Sequence, residues 1–251
     1  MTRISTLYGL SYSPWTERAR WALDVKQVPY RYKEHSPFLG EWGLRFRARH
    51  LRQSQATVPL FLGEGITLGD SFEIMGYADQ VGVGDPLFVD PTETQRWRDQ
   101  IERALEHMRI RVSQRILQDP VALEETAASV VPRGVAGAFA PVAAMGARFL
   151  AGKYGFALDT EPGDGPLIRE VLEAARASLT DERDYVHGAF SVTDIMIATL
   201  LQAVEPVADE HLRLGPATRR VWRHADLADA YPDLLEWRDR LYALHRRPAP
   251  A

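Results

Sequence analysis

Near residue 91 the spacing of apolar residues changes, and that change limits what this 251-residue chain can fold into more than any other feature. Before it, short apolar runs alternate with segments of helical period; after it, helical period continues alone to the end. "RISTLYGL" reads as a strand because it is brief, rich in β-formers and closed by Gly9. A helix is predicted next, with Ser13 as its cap and Pro14 in its first position, and Arg18, Trp21, Ala22 and Val25 recur at helical spacing until "KQVPY". "YRYKEH" makes a second strand, and "FLGEWGLRFRARHLR" an arginine-rich helix. "TVPLFLGEGITLGD" reads as two strands joined at "GEG", and "SFEIMGYADQVG" as a helix with Ser71 at its start.

This order predicts a compact α/β unit built around a βαβ crossover over residues 1–82. Residues 83–91, with glycine, proline and no periodic pattern, are expected to link it to a second domain, 92–251. There "ETQRWRDQIERALEHMRIRVSQRIL" places Trp97, Ile101, Leu105, Met108, Val112 and Ile116 on one face of a long helix. Further helices are predicted over 121–131, 134–152, 164–179, 191–208, 216–225 and 232–245.

Composition narrows the function. With 45% hydrophobic and 25% charged residues, the chain can bury a sizeable core. A net charge of −4 argues against nucleic acid as a partner, since phosphate binding needs a dominant basic surface. Residues 1–82 hold ten Lys/Arg and eight Asp/Glu, a balance of +2 that leaves −6 for the rest and suits a small anionic ligand in the first part. The absence of cysteine excludes disulfides, thiolate metal sites and a cysteine nucleophile. The seven histidines show no metal spacing, so no metal is expected, and no phosphate loop or dinucleotide fingerprint is present. "MTRISTLYGL" lacks the features of a secretory leader, which makes the cytoplasm the expected location. "GVAGAFAPVAAMGARFLAG" is interrupted by Pro141 and Arg148 and reads as a packed helix pair, so no membrane partner is expected.

The chemistry centres on Ser13-Pro14-Trp15-Thr16, two polar residues bracketing a Pro-aromatic pair where a disulfide exchanger would carry two thiols. A strand, a turn and this stretch opening a helix resemble the thioredoxin fold, and Pro59 in "ATVPLF" matches the cis-proline of that fold. "GDSFEIMGYAD" is similar to the "E-S-x-A-I-x-x-Y-L" signature of cytosolic glutathione transferases, and "GAFSVTDIMIATLL" resembles their buried "F-S-x-A-D-I" helix start. On these motifs the chain resembles that family over nearly its whole length. "S-P-W-T-E-R-A-R-W-A-L" is most like the serine classes, tau in particular.

The resemblance implies a thioredoxin-like domain followed by an all-helical one. It also implies glutathione as co-substrate, a small hydrophobic electrophile as second substrate, and a homodimer. Ser13 is expected to hold the glutathione thiolate at the start of the first long helix. The magnitudes allow it. A free thiol near pKa ~8.5 is only a few per cent ionised at neutral pH, and moving it to about 6.5 requires roughly 2.7 kcal/mol of preference for the anion. A hydrogen bond to a charged group supplies about 1.5–3 kcal/mol and a helix N-terminus about 0.3–1 kcal/mol. A plain helix cap is the competing reading of Ser13, and Tyr8 and Tyr12 are rival hydroxyl donors.

By the same resemblance Asp70 and Ser71 receive the γ-glutamyl end of glutathione, where helix N–H groups meet a carboxylate. Asp70 stands where glutamate or glutamine is usual, and helix capping is the other reading. Val58 would pair its backbone with the cysteinyl part, aimed by Pro59. Thr57 stands where tau proteins carry lysine or glutamine, so Arg45, Arg47, Arg49 and Arg52 are candidates for the glycyl carboxylate, each competing with a solvated basic face. "SVTD", residues 191–194, is a relative of the capping box and is assigned to structure. The implied activity is conjugation of glutathione to an electrophilic carbon, a detoxification reaction. The alternatives are a binding or regulatory protein that has kept the fold without turnover, and glutathione-dependent isomerisation or peroxidase chemistry.

Overall fold

The computed structural model describes residues 4–36, 40–51, 57–130, 165–179 and 183–247. The helix expected over 134–152 and the candidate Arg52 lie outside them. Strand β1 (Ser5–Gly9) is followed by α1 (Pro14–Val25), β2 (Tyr30–Glu34) and α2 (Glu41–Arg47). Then come β3 (Leu60–Gly63), β4 (Ile66–Leu68) and α3 (Ser71–Val81). The sheet runs β2-β1-β3-β4, with β1 parallel to β2 and antiparallel to β3, and β4 antiparallel to β3. Parallel pairing of β1 and β2 requires the crossover that α1 supplies. This is a thioredoxin-like domain with a small mixed sheet.

The remaining described elements are helices: α4 (Pro91–Gln118), α5 (Pro120–Val130), α6 (Gly165–Ser178), α7 (Val192–Val204), α8 (Pro216–Trp222), α9 (Ala225–Ala228) and α10 (Pro232–His245). Asp90 caps α4 by accepting from the N–H groups of Thr92 and Glu93. Trp97, Ile101, Leu105, Met108 and Val112 form its buried face, as their spacing predicts.

Two expectations change. The helix predicted over 191–208 stops at Val204, two residues before Pro206. The helix predicted over 216–225 is two helices. His224 turns away and its N–H bonds to the carbonyl of Val204, satisfying the C-terminal end of α7 instead of continuing α8.

Helix α7 is buried along its whole length, and one apolar core passes through both halves of the chain around it. Each fully buried Leu or Ile there contributes about 1.5–3 kcal/mol, more than a helix cap's ~1 kcal/mol. Packing therefore holds α7, and the Ser191–Asp194 bonds direct its start. Asp194 accepts from the Ser191 N–H at 2.8 Å, the Ser191 hydroxyl at 2.6 Å and the Val186 N–H at 2.9 Å.

Helix α1 lies between α3 and α7, which brings its N-terminus to the junction of the two halves. The helix is clamped along its length by the end of α10 and the residue after it. The Arg246 guanidinium grips Glu17 at 2.7 and 3.2 Å and Asp24 at 2.6 Å. Trp21 donates its indole N–H to the His245 carbonyl at 3.0 Å.

Candidate functional site

A cleft of about 590 Å³ opens where α1 begins, bounded by the β1–α1 turn, the segment before β3, the start of α3, α4 and α8. That volume lies within the ~300–1,000 Å³ typical of small-molecule sites. The structure brings Ser13, Val58, Pro59, Asp70 and Ser71 together on its wall, and Tyr12 and Thr57 join them.

Ser13 sits at the N-cap of α1. Its N–H bonds the Leu10 carbonyl at 2.9 Å, and its Oγ accepts weakly from the Thr16 N–H at 3.5 Å. The hydroxyl proton is thus left for another acceptor, and the free N–H groups of the first turn add a positive dipole end. Close approach of the turn to the helix depends on Gly9, where a Cβ would stand 2.3 Å from Thr16 Cγ2. Glu34, at the end of β2 and on the cavity wall, accepts from the Ser11 N–H at 3.0 Å and the Ser11 hydroxyl at 3.3 Å, and from the Tyr32 hydroxyl at 2.6 Å. It braces the turn that carries Ser13.

The two tyrosine rivals separate. Tyr12 lines the cavity, its ring edge-on to Trp222 with centroids 6.1 Å apart. Tyr8 is not among the lining residues; Arg47 and Lys33 stand over its ring at 5.0 and 5.8 Å.

The peptide bond between Val58 and Pro59 is cis. Val58 forms no backbone hydrogen bond to another described residue, so its N–H and C=O remain available beside the cavity. Asp70 is the N-cap of α3, accepting from the N–H groups of Phe72 at 2.9 Å and Glu73 at 3.1 Å, and it pairs with Arg98 at 3.3 Å. Capping and lining coincide in this residue. Ser71 is buried and its Oγ accepts from Arg18 Nε at 2.8 Å, which leaves the hydroxyl proton to donate.

Sequence reasoning read Arg18 only as part of a helical stripe. The structure shows it fully buried, reaching Ser71 with one nitrogen and Glu102 of α4 with another. Burial pulls its pKa down, and Glu102 opposes that. Glu102 also accepts from the Trp15 indole N–H at 2.7 Å, and Arg109 stacks over the Trp15 ring at 5.2 Å. A cation inside an apolar stripe is a signal that a partner exists; its position 84 residues away is not readable locally. Of the arginines proposed for a glycyl carboxylate, Arg45, Arg47 and Arg49 do not line the cavity; Arg49 folds over Phe46 instead.

Leu105, Met108, Val112, Leu214 and Trp222 give the cavity an apolar wall, interrupted by Glu106, Arg109, Glu125 and Arg213. No cluster of His, Asp or Glu among the described residues could hold a metal ion, and no described helix is long and apolar enough to cross a membrane.

Residues 7–82 match the family model described as glutathione S-transferase, N-terminal domain. The fold as a whole is similar to solved glutathione transferases. That of Phanerochaete chrysosporium aligns with a TM-score of 0.62 at 14% identity, covering 99% of this chain and 100% of that one. Glutathione transferase Omega 3C from Trametes versicolor aligns at 0.52 and 18% identity, covering 100% and 92%. A glutathione S-transferase from Methylobacillus flagellatus with glutathione bound aligns at 0.53 and 16% identity, covering 95% and 94%. Identities this low speak to fold alone. No curated protein sequence matches the chain.

Proposed function

We propose that the whole chain is a glutathione transferase that joins the thiolate of glutathione to a small hydrophobic electrophile. The observation that carries this reading is the convergence of Ser13, the cis Val58–Pro59 segment and Asp70–Ser71 on one cavity that continues into an apolar lobe. The Ser71 hydroxyl suits a carboxylate, and the open backbone of Val58 suits the central peptide unit. The hydroxyl of Ser13 suits a sulfur anion, and the apolar lobe beyond it suits the electrophile. Holding both reactants in one cleft supplies much of the rate by proximity. A homodimer, a cytoplasmic location and a role in detoxification belong to the same proposal, as do domain limits at 1–82 and 92–251.

A calorimetric titration with glutathione, followed by an assay with a general aromatic halide, tests it. Binding with conjugation is the expected result, and absence of binding removes the proposal. A second reading has one specific observation in its favour: the Asp70 carboxylate is already engaged by the α3 cap and by Arg98. Tight binding of glutathione without conjugation to any electrophile would favour that reading, a non-catalytic binding protein.

A further inference from the structure

The apolar lobe carries charged residues whose partners differ. Glu102 is paired with Arg18. Glu125 of α5 is turned into the start of α8, accepting from the N–H groups of Ala217 at 3.2 Å and Thr218 at 2.7 Å and from the Thr218 hydroxyl at 2.9 Å. Burial alone would raise its pKa, and these donors outweigh burial and hold it below the ordinary value. Glu106 also lines the cavity and makes no hydrogen bond or ion pair with another described residue. Arg213 is the cation in the same position: exposed, on the cavity wall, and without a hydrogen bond or ion pair to another described residue.

The segment that presents Arg213 is braced on both sides. Before it, the Arg219 guanidinium bonds the carbonyls of Pro206 at 3.2 Å, Val207 at 2.8 Å and Leu212 at 2.8 Å, and the Asp209 carboxylate. After it, Gly215 makes room for Glu125, whose Oε2 would lie 2.2 Å from a Cβ there. A braced backbone thus presents an exposed cation without a counter-ion beside the apolar residues Leu214, Val112 and Trp222. Such a cation, exposed at its head but fixed at its backbone, can meet an anion with the modest strength of a partly solvated ion pair.

Resting on the glutathione transferase reading above, we propose that the second substrate is an apolar electrophile bearing an anionic group, a carboxylate or sulfonate, which Arg213 receives. Its apolar body lies against Leu214, Val112 and Trp222. In the probe reaction, with 4-chloro-3,5-dinitrobenzoate, the glutathione sulfur bonds to the ring carbon bearing chlorine. Chloride leaves with the C–Cl electron pair, and the thiol proton passes to solvent.

The test compares this acid with its methyl ester, which removes the charge and keeps the reacting ring. The wild-type protein is expected to favour the acid in kcat/KM. Arg213→Gln should lower the acid-to-ester ratio about fivefold, the size of one partly solvated ion pair, and Arg213→Lys should largely keep it. Added salt should also erode the ratio. Binding of the acid and ester without glutathione, followed by quenching of tryptophan fluorescence, reads the same contrast without turnover. If the ester is conjugated and neither ratio depends on Arg213, the anionic-substrate proposal fails. If the acid binds through Arg213 while glutathione is neither bound nor consumed, the transferase reading fails and the anion site stands.

Discussion

Arg18 of α1 and Glu102 of α4 form an ion pair that joins the two halves of the chain at the wall of the cavity. Arg18 is fully buried and also holds the Ser71 hydroxyl, so one guanidinium links the helical region to the start of α3. Glu102→Ala leaves a buried cation without its counter-ion, and should cost about 3 kcal/mol in urea unfolding and weaken glutathione binding. Replacing both residues by Met should recover much of the stability, since an apolar pair needs no charge compensation. A double variant no more stable than Glu102→Ala would show that the pair does not act as a unit.

Ser13→Ala removes the donor offered to the bound sulfur. The pKa of bound glutathione, read from the ultraviolet absorbance of its thiolate, should rise by about 1–2 units, the equivalent of one hydrogen bond to a charged group. Near neutral pH, kcat/KM should fall by about tenfold or more. Tyr12→Phe should change the thiol pKa less. A larger effect at Tyr12 than at Ser13 would transfer the donor role to the tyrosine.

Glu125 caps α8 from another helix because Gly215, at the N-cap position, has no side chain to do so. Gly215→Ala would press a methyl group against the carboxylate and should cost on the order of 1–2 kcal/mol of stability. Glu125→Ala should cost about 1 kcal/mol, as loss of a cap does. Chemical denaturation of the two variants checks both, and unchanged midpoints would mean the cap carries no weight.

His224 is buried with Arg115 and Arg111 nearby and Asp226 opposing them; burial first, then the two arginines, lower its pKa to about 4. The folded state then binds fewer protons than the unfolded state between about 4 and about 6.5. Stability from this group is complete above about 6.5 and is lost as the pH falls toward about 4. Thermal midpoints should drop across that window, and His224→Leu should flatten the drop. An equal pH dependence in the variant would assign it to other groups.

The amino-acid sequence by itself determined the parts whose causes are local. The change of period near residue 91, the caps at Ser13, Asp70 and Asp90, and the buried face of α4 all follow from residues within a few turns of one another. Ser13 and Asp70 were legible as helix caps for the same reason, whereas Pro59 and Ser71 were named through motifs that resemble those of a known family. The cavity itself, and what compensates its charges, was decided only by tertiary structure. Arg18 meets Glu102 across 84 residues, Glu125 caps a helix 93 residues on, and His224 leaves α8 to satisfy the end of α7. A buried charge or an open N–H announces that it needs a partner, but any residue the fold brings within about 3 Å can meet that need, and distance along the chain does not limit the choice.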